Sequence, residues 1–476
     1  MSTAINSSTI DLAIILTYLV FTLMVGLWYG RNVHSLREFS IGNSNFSTII
    51  LSLTIVATWI GGGSMVGPAN NAFKTGIVAL YPQIGMTICL YIISYILAPR
   101  MKPFLGMISV GEIIGNMYGT NARLITGIAG TLKSVGHVGV QIFVMGNMLS
   151  YLTPASKTEC MLISTIVLVA YSAFGGVRSV TFTDALQAIT VAIAIPIILY
   201  VSLKSIGGYD KFINKLPETH LSLFPDKDLM TRYTYLFFYF CIPFLTPATA
   251  QRILMARDVE QVAKSFKISA GLSGLFYCFA VIVGLLAVVI APDIESNFSV
   301  MYLVDYTMPP ILKGIAICGI LSVIMSTADS HLNVASVCLT NDYLKVLITD
   351  LSDAAALSVS RVVTVIFGIF AYLIASKFKD LLDLVLYVDN FWAPIVVTPL
   401  LLGLFGFRST SKVFLIAAIC GFLTFIIWEH YQFITYTNIY SIIASVTVNG
   451  LAFIIAHYLL KQPGGWVTRS SKTKHG

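Results

Sequence analysis

The residues of this chain with the most chemistry in their spacing stand inside stretches that are otherwise apolar. "ATWIGGGSMVGPAN", Ala57 to Asn70, sets three consecutive glycines and a proline in the middle of a hydrophobic run. "FYFCIPFLTPATAQR", Phe238 to Arg252, places Pro243 and Pro247 inside another. "ILSVIMSTADSHLN" carries the adjacent hydroxyls Ser326 and Thr327, followed by Asp329 and Ser330. Glycine and proline interrupt a helix, and an interruption frees main-chain carbonyls. Carbonyl and hydroxyl oxygens are hard ligands that suit a small hydrated cation. These stretches therefore offer ion coordination without a buried anion. The competing explanations are close helix packing for the Gly-rich stretch and ordinary back-bonding of Ser and Thr to the preceding turn.

Covalent catalysis finds little support. The seven His are dispersed, with no HExxH or similar cluster, which argues against a metalloenzyme. The seven Cys scatter through apolar segments without a CxxC pair, so neither a disulfide framework nor a zinc site is implied. No cofactor is expected beyond a coupling ion.

Composition dictates which elements must position these oxygens. The chain has 476 residues, 57% hydrophobic and 11% charged, and a mean hydropathy of +0.84. A soluble protein carries about 25% charged residues, so an all-α integral membrane protein of one domain is expected. At roughly 20 apolar residues per crossing, about thirteen spans qualify: 9–29, 47–73, 75–98, 122–152, 158–175, 182–204, 232–250, 264–291, 308–343, 357–376, 380–405, 412–429 and 437–460. The N-terminus lacks the basic segment of a cleavable signal peptide. With the N-terminus outside, most Lys and Arg, including Arg31, Arg37, Arg252, Arg257 and the basic tail, fall on the cytoplasmic side. The net charge of +7 then reflects topology, and nucleic acid is not implied. Short loops suggest a bacterial inner-membrane protein. The tail after Lys461 is too short for a signalling module, which argues against a membrane sensor.

Irregular backbone at membrane depth is tolerated only where protein buries it or it lines a cavity. Breaks at matching positions of two halves mark the site of a secondary transporter. Here they open two five-helix units, 47–228 and 229–411, with a peripheral 1–46 and a terminal 412–476.

Further motifs add a resemblance. "FGGVRSVTFTDALQ" (Phe174 to Gln187), "SVGEIIGNMYG", "QRILMARDVEQVAKS" and "MSTADS" occur in order and at suitable spacing. Together they resemble the sodium:solute symporter family over nearly the whole chain. The resemblance implies a leucine-transporter-like fold with a five-plus-five inverted-repeat core and Na+ as coupling ion. It places a sodium site on the carbonyls of Ala57, Ile60 and Val323 and the side chains of Ser326 and Thr327. Asp184 matches a position used for sodium coupling near the cytoplasmic exit, although an acid opening a helix also suits the helix dipole.

Within the family, the Ala-Thr-Trp-x-Gly-Gly-Gly pattern is most similar to the high-affinity choline transporter branch. Trp59 would then give a cation–π wall, with Gly61, Gly62, Phe244, Tyr387 and Trp392 beside the solute. The branch's other cage tryptophans align with His137, Thr246 and Leu386. Choline is thus the first expectation, with proline, another amino acid, a carboxylate or a sugar behind it. Lys133 either snorkels toward the cytoplasmic face or pairs with an acid such as Asp329.

Overall fold

The computed structural model describes residues 8–31, 33–152, 155–437 and 439–466. The expected basic tail from 467 onward lies outside the described residues. Fifteen helices carry the architecture: α1 (Thr9–Gly30), α2 (Thr48–Trp59), α3 (Gly62–Thr75), α4 (Leu80–Ile92), α5 (Thr120–Leu152), α6 (Lys157–Ile206), α7 (Lys227–Cys241), α8 (Pro247–Leu254), α9 (Val259–Ile290), α10 (Leu312–Val337), α11 (Asp353–Ala375), α12 (Leu381–Asp389), α13 (Thr398–Leu404), α14 (Ser411–His430) and α15 (Ser441–Leu459). A two-residue antiparallel pairing of Phe407–Arg408 with Gly465–Trp466 ties the chain after α15 to the α13–α14 connection.

Among the described residues, ten helical stretches are long and apolar enough to cross a membrane, against the thirteen spans expected. The differences fall where helices break or fuse. The span expected at 47–73 splits into the short α2 and an α3 that runs on with α4 as Gly62–Phe104. The span expected at 232–250 divides into α7 and α8, both too short to count. The segments expected at 158–175 and 182–204 share one element, α6, bent at Gly176. Gly176 has φ +58, and a Cβ there would lie 2.8 Å from the Phe39 ring, so glycine makes this bend possible.

Burial sorts centre from periphery. The stretch containing α10 is 94% buried in its most apolar window and α5 is 83% buried, whereas α1 is 22% and α14 and α15 are 33% each. A helix that touches protein on every side needs no polar face. α10 packs against α1, α5, α6 and α11, which makes it the axis of the bundle.

The start of α10 shows how the outer helix serves this axis. Its N-cap position holds Ile311, whose side chain cannot accept a hydrogen bond. The buried Asp11 of α1 supplies the acceptor instead, taking the N–H of Ile311 at 2.9 Å and of Gly314 at 3.0 Å. Farther along, the Tyr18 hydroxyl lies 2.6 Å from Ser322 Oγ. Two of the four orphan donors of a helix start are satisfied this way. Asp11→Ala should lower stability by about 1–2 kcal/mol, the usual range for a lost cap. The check is the thermal unfolding midpoint of the detergent-solubilised chain, and a midpoint equal to that of the parent would contradict the capping role.

Candidate functional site

The first break is short. α2 ends at Trp59, Ile60 takes φ −98 and ψ 90, Gly61 takes φ −110 and ψ −175, and α3 begins at Gly62. The freed groups are answered locally. Gly61 N–H donates to Ser64 Oγ at 2.8 Å, Ser64 Oγ donates to the Trp59 carbonyl at 2.7 Å, and Gly62 N–H donates to Gln141 Oε1 of α5 at 2.7 Å.

The Ala57 and Ile60 carbonyls turn to α10. Thr327 Oγ1 lies 3.0 Å from the Ala57 oxygen and 3.3 Å from that of Ile60. Ser326 Oγ lies 3.2 Å from the Ala57 oxygen and 3.0 Å from the Val323 oxygen. The structure thus gathers the three carbonyls and two hydroxyls that the motif reading put together. All five residues are buried. None of these five groups carries a formal charge.

The glycines have a more specific reason than helix breaking. None of Gly61, Gly62 and Gly63 has a positive φ, so backbone conformation alone does not demand them. Close approach does. A Cβ on Gly61 would lie 2.6 Å from Thr327 Oγ1, and one on Gly62 would lie 3.0 Å from Gln141 Oε1 and Val144. At Gly63 the nearest atom, on Val140, is 3.3 Å away, a tight contact but the loosest of the three.

The second break, between α7 and α8, uses other means. Leu245 adopts φ +44, and Pro247 opens α8 with Thr246 as N-cap. The Phe244 carbonyl freed here accepts the Trp392 indole N–H at 2.9 Å.

Asp184 is not part of the five-oxygen cluster. Its carboxylate accepts a short hydrogen bond from Thr54 and lies 3.3 Å from Arg252 Nη2. The Arg252 guanidinium also donates from Nε to Thr58 Oγ1 at 2.9 Å, from Nη1 to Gln251 Oε1 at 3.2 Å, and from Nη2 to Ser330 Oγ. It is fully buried and joins α2, α6, α8 and α10 in one knot. The sequence motifs and the tally of cytoplasmic charge both contain Arg252, but neither gives it a role. The available signal was a charge in the same short helix as Pro247, at membrane depth, where charges are functional by default.

Between the two breaks lies a cavity of about 190 Å³, where one water needs about 10–15 Å³. It has room for a small organic solute. Trp59, Gly61 and Phe244 line it, as expected, with Phe240 and Thr327. Three expected solute positions do not line it. Gly62 faces Gln141 and Val144. Tyr387 points outward, 42% exposed, with its ring against Phe378, Phe391 and Phe425. Trp392 is 1% exposed and spends its N–H on the Phe244 carbonyl. Of the aligned cage positions, His137 and Thr246 reach the cavity and Leu386 does not.

Lys133 takes the second expected course, pairing with an acid, but the acid is not Asp329. It is 2% exposed, so it does not snorkel, and its ammonium pairs with Asp389 at the end of α12. Asp329 instead accepts from Ser172 Oγ at 2.9 Å.

Removing one partner of a buried pair leaves an uncompensated charge, at about 3–5 kcal/mol. Arg252→Leu should therefore unfold at a much lower temperature, and the double variant Arg252→Gln/Asp184→Asn should recover most of the loss. A single variant as stable as the parent would dissolve the knot.

The model of the sodium:solute symporter family matches residues 39–421. A sodium/proline symporter of Staphylococcus aureus is 23% identical over 98% of this chain and 96% of its own length. A second sodium/proline symporter from another strain of that species is 24% identical over 95% and 93%. Among solved structures, a substrate-bound, outward-open Na+-coupled sialic acid symporter superposes with a TM-score of 0.82 at 17% identity, covering 95% of this chain and 98% of that one. A nucleobase-cation-symport-1 family transporter, closed with bromovinylhydantoin bound, gives 0.60 at 12% identity over 90% and 96%. These neighbours share the leucine-transporter-like fold, with its inverted repeat and broken helices.

Proposed function

The chain belongs to the sodium:solute symporter family, and on that premise we propose that it imports a small organic solute by coupling it to Na+ in alternating access. The observation that carries this reading is the meeting of Ser326 and Thr327 with the Ala57 and Ile60 carbonyls. A cation among these oxygens bridges the end of α2 to α10. The same break presents Trp59 and Gly61 to the cavity, and Thr327 itself lines it. Ion and solute therefore act on shared elements, and each raises the affinity of the other by the same factor.

The two breaks open the two five-helix units, 47–228 and 229–411. In the N-out orientation given by the basic loops, Lys74, Asp380 and Asn297 lie toward the outer end of the cavity. The Arg252 knot then closes the cytoplasmic end. Transport requires α2 to part from α6, α8 and α10, the elements which that knot ties to it.

For the solute, choline receives no support from the relatives, whose names specify proline. Lys133 and His137 line the same cavity as Trp59, Phe240 and Phe244, and the Asp389 carboxylate there is already paired with Lys133, a poor setting for a solute that carries only a cation. A small amino acid fits better.

The test is uptake into proteoliposomes with and without an inward Na+ gradient. Ser326→Ala and Thr327→Ala should each raise the half-maximal Na+ concentration about tenfold, equivalent to roughly 1.4 kcal/mol of ligand energy. Unchanged sodium dependence in both would remove the site assignment. Binding without uptake would make the chain a sensor instead. Spacing at the break gives a graded expectation: Gly61→Ala should abolish the sodium response while Gly63→Ala keeps most of it. Equal behaviour of the two would mean that contact with Thr327 does not limit the site.

A further inference from the structure

The cavity lining also contains charge that the five-oxygen cluster does not use. Lys133 Nζ donates to Asp389 Oδ1 and lies 3.2 Å from His137 Nδ1. The Tyr239 hydroxyl donates to the other Asp389 oxygen. One turn beyond Thr327 on α10 stands His331, its ring 4.5 Å from that of His137. His331 is 3% exposed, lines the cavity, and its Nδ1 has no hydrogen-bond partner. A polar nitrogen buried to that degree without a partner is costly, and a ligand atom would relieve it.

We propose that Lys133 and His331 receive the carboxylate of a zwitterionic amino acid, and that Asp389, released from Lys133, receives its ammonium group. This rests on the symport reading and deepens it by assigning the side chains that hold the two charges of the solute. An ammonium has three donors, and Lys133 directs one to Asp389 and faces His137 with another. In the empty cavity the Lys133–Asp389 pair is an internal substitute for a zwitterion: one cation and one anion, both lining the same space. A solute with the opposite pair of charges exchanges partners with it, so no net charge is buried and no ion is left unpaired. Tyr239 holds Asp389 through the exchange, because its hydroxyl binds the oxygen that Lys133 does not use. A solute with only a cationic group cannot make the exchange. It leaves the Lys133 ammonium uncompensated beside it.

The origins of the two charges reinforce this assignment. Lys133 lies on α5, one of the most buried helices. Asp389 and Tyr239 lie at the last turns of α12 and α7, each directly before an interrupted segment. The exchange therefore changes contacts at two interruptions at once, where little regular backbone must be disturbed.

The experiment uses the purified full chain in detergent with Na+ present, and reads the thermal unfolding midpoint against three probes. These are an equimolar mixture of the natural amino acids, the matching mixture of amino-acid carboxamides, and choline. The amino acids should raise the midpoint, while the carboxamides and choline should not. Lys133→Met should weaken the amino-acid response at least a hundredfold in concentration, and Lys133→Arg should restore part of it. Because Lys133→Met leaves Asp389 unpaired and can fail to fold, the neutral double variant Lys133→Met/Asp389→Asn accompanies it, with the same loss expected. Stabilisation by the carboxamides or choline equal to that by the acids overturns the proposal. So does an unchanged response in the Lys133 variants, or no response of the parent to any amino acid. The midpoint shift given by Na+ alone is the separate readout. If Na+ alone does not shift the midpoint of the parent, the symport reading fails; if Na+ shifts it and only the solute arms fail, this inference does.

Discussion

Inside a bilayer no peptide N–H or C=O can be left to water, and this constraint governs the rest of the structure. Every departure from helix must find substitute partners within the protein. At the first break Ser64 and Gln141 supply them for Gly61 and Gly62. At the second, Trp392 supplies one for Phe244. The carbonyls of Ala57 and Ile60 meet, among the described residues, the hydroxyls of α10, and a hydroxyl is a partner that can turn its proton aside and offer a lone pair. The groups left least committed at the break are thus the ones suited to a cation.

The charged residues at membrane depth follow a related logic. Arg252 with Asp184, and Lys133 with Asp389, are cation–acid pairs in the interior. The first ties four helices together beside the five-oxygen cluster, and the second faces the cavity. Their different surroundings separate their roles. Arg252 is enclosed by hydroxyls and an amide of the protein itself, whereas Lys133 lies against His137 and lines the cavity.

Legibility in the sequence followed locality. The three glycines of the first break, the two prolines of the second and the two adjacent hydroxyls are each visible as a local cluster, and from them the breaks could be placed; the five oxygens came from the resemblance that these motifs carry. The pairs could not, because Asp184 and Arg252 are 68 positions apart and Lys133 and Asp389 are 256 apart. An intramembrane lysine says that it needs a partner without saying which. Tyr387 and Trp392 were misplaced for a different reason. Both lie around the end of α12, where a few tens of degrees of helix rotation decide between cavity and core, and spacing alone does not set that rotation. Among the described residues, ten stretches rather than thirteen are long and apolar enough because a run divided at a break becomes two short helices, as at α7 and α8, and one bent at a glycine, as at Gly176, is a single element.

The neutrality of the five oxygens has an electrical consequence. An ion site built from carboxylates carries negative charge when empty, so the membrane voltage acts on the unloaded protein as it resets. Three carbonyls and two alcohols carry none. On the proposed reading the positive charge that crosses is that of the ion, and the field, worth about 2.3 kcal/mol per charge per 100 mV, drives the loaded step inward and is indifferent to the return of the empty site. The resting potential would then work as a rectifier, favouring accumulation without slowing recovery.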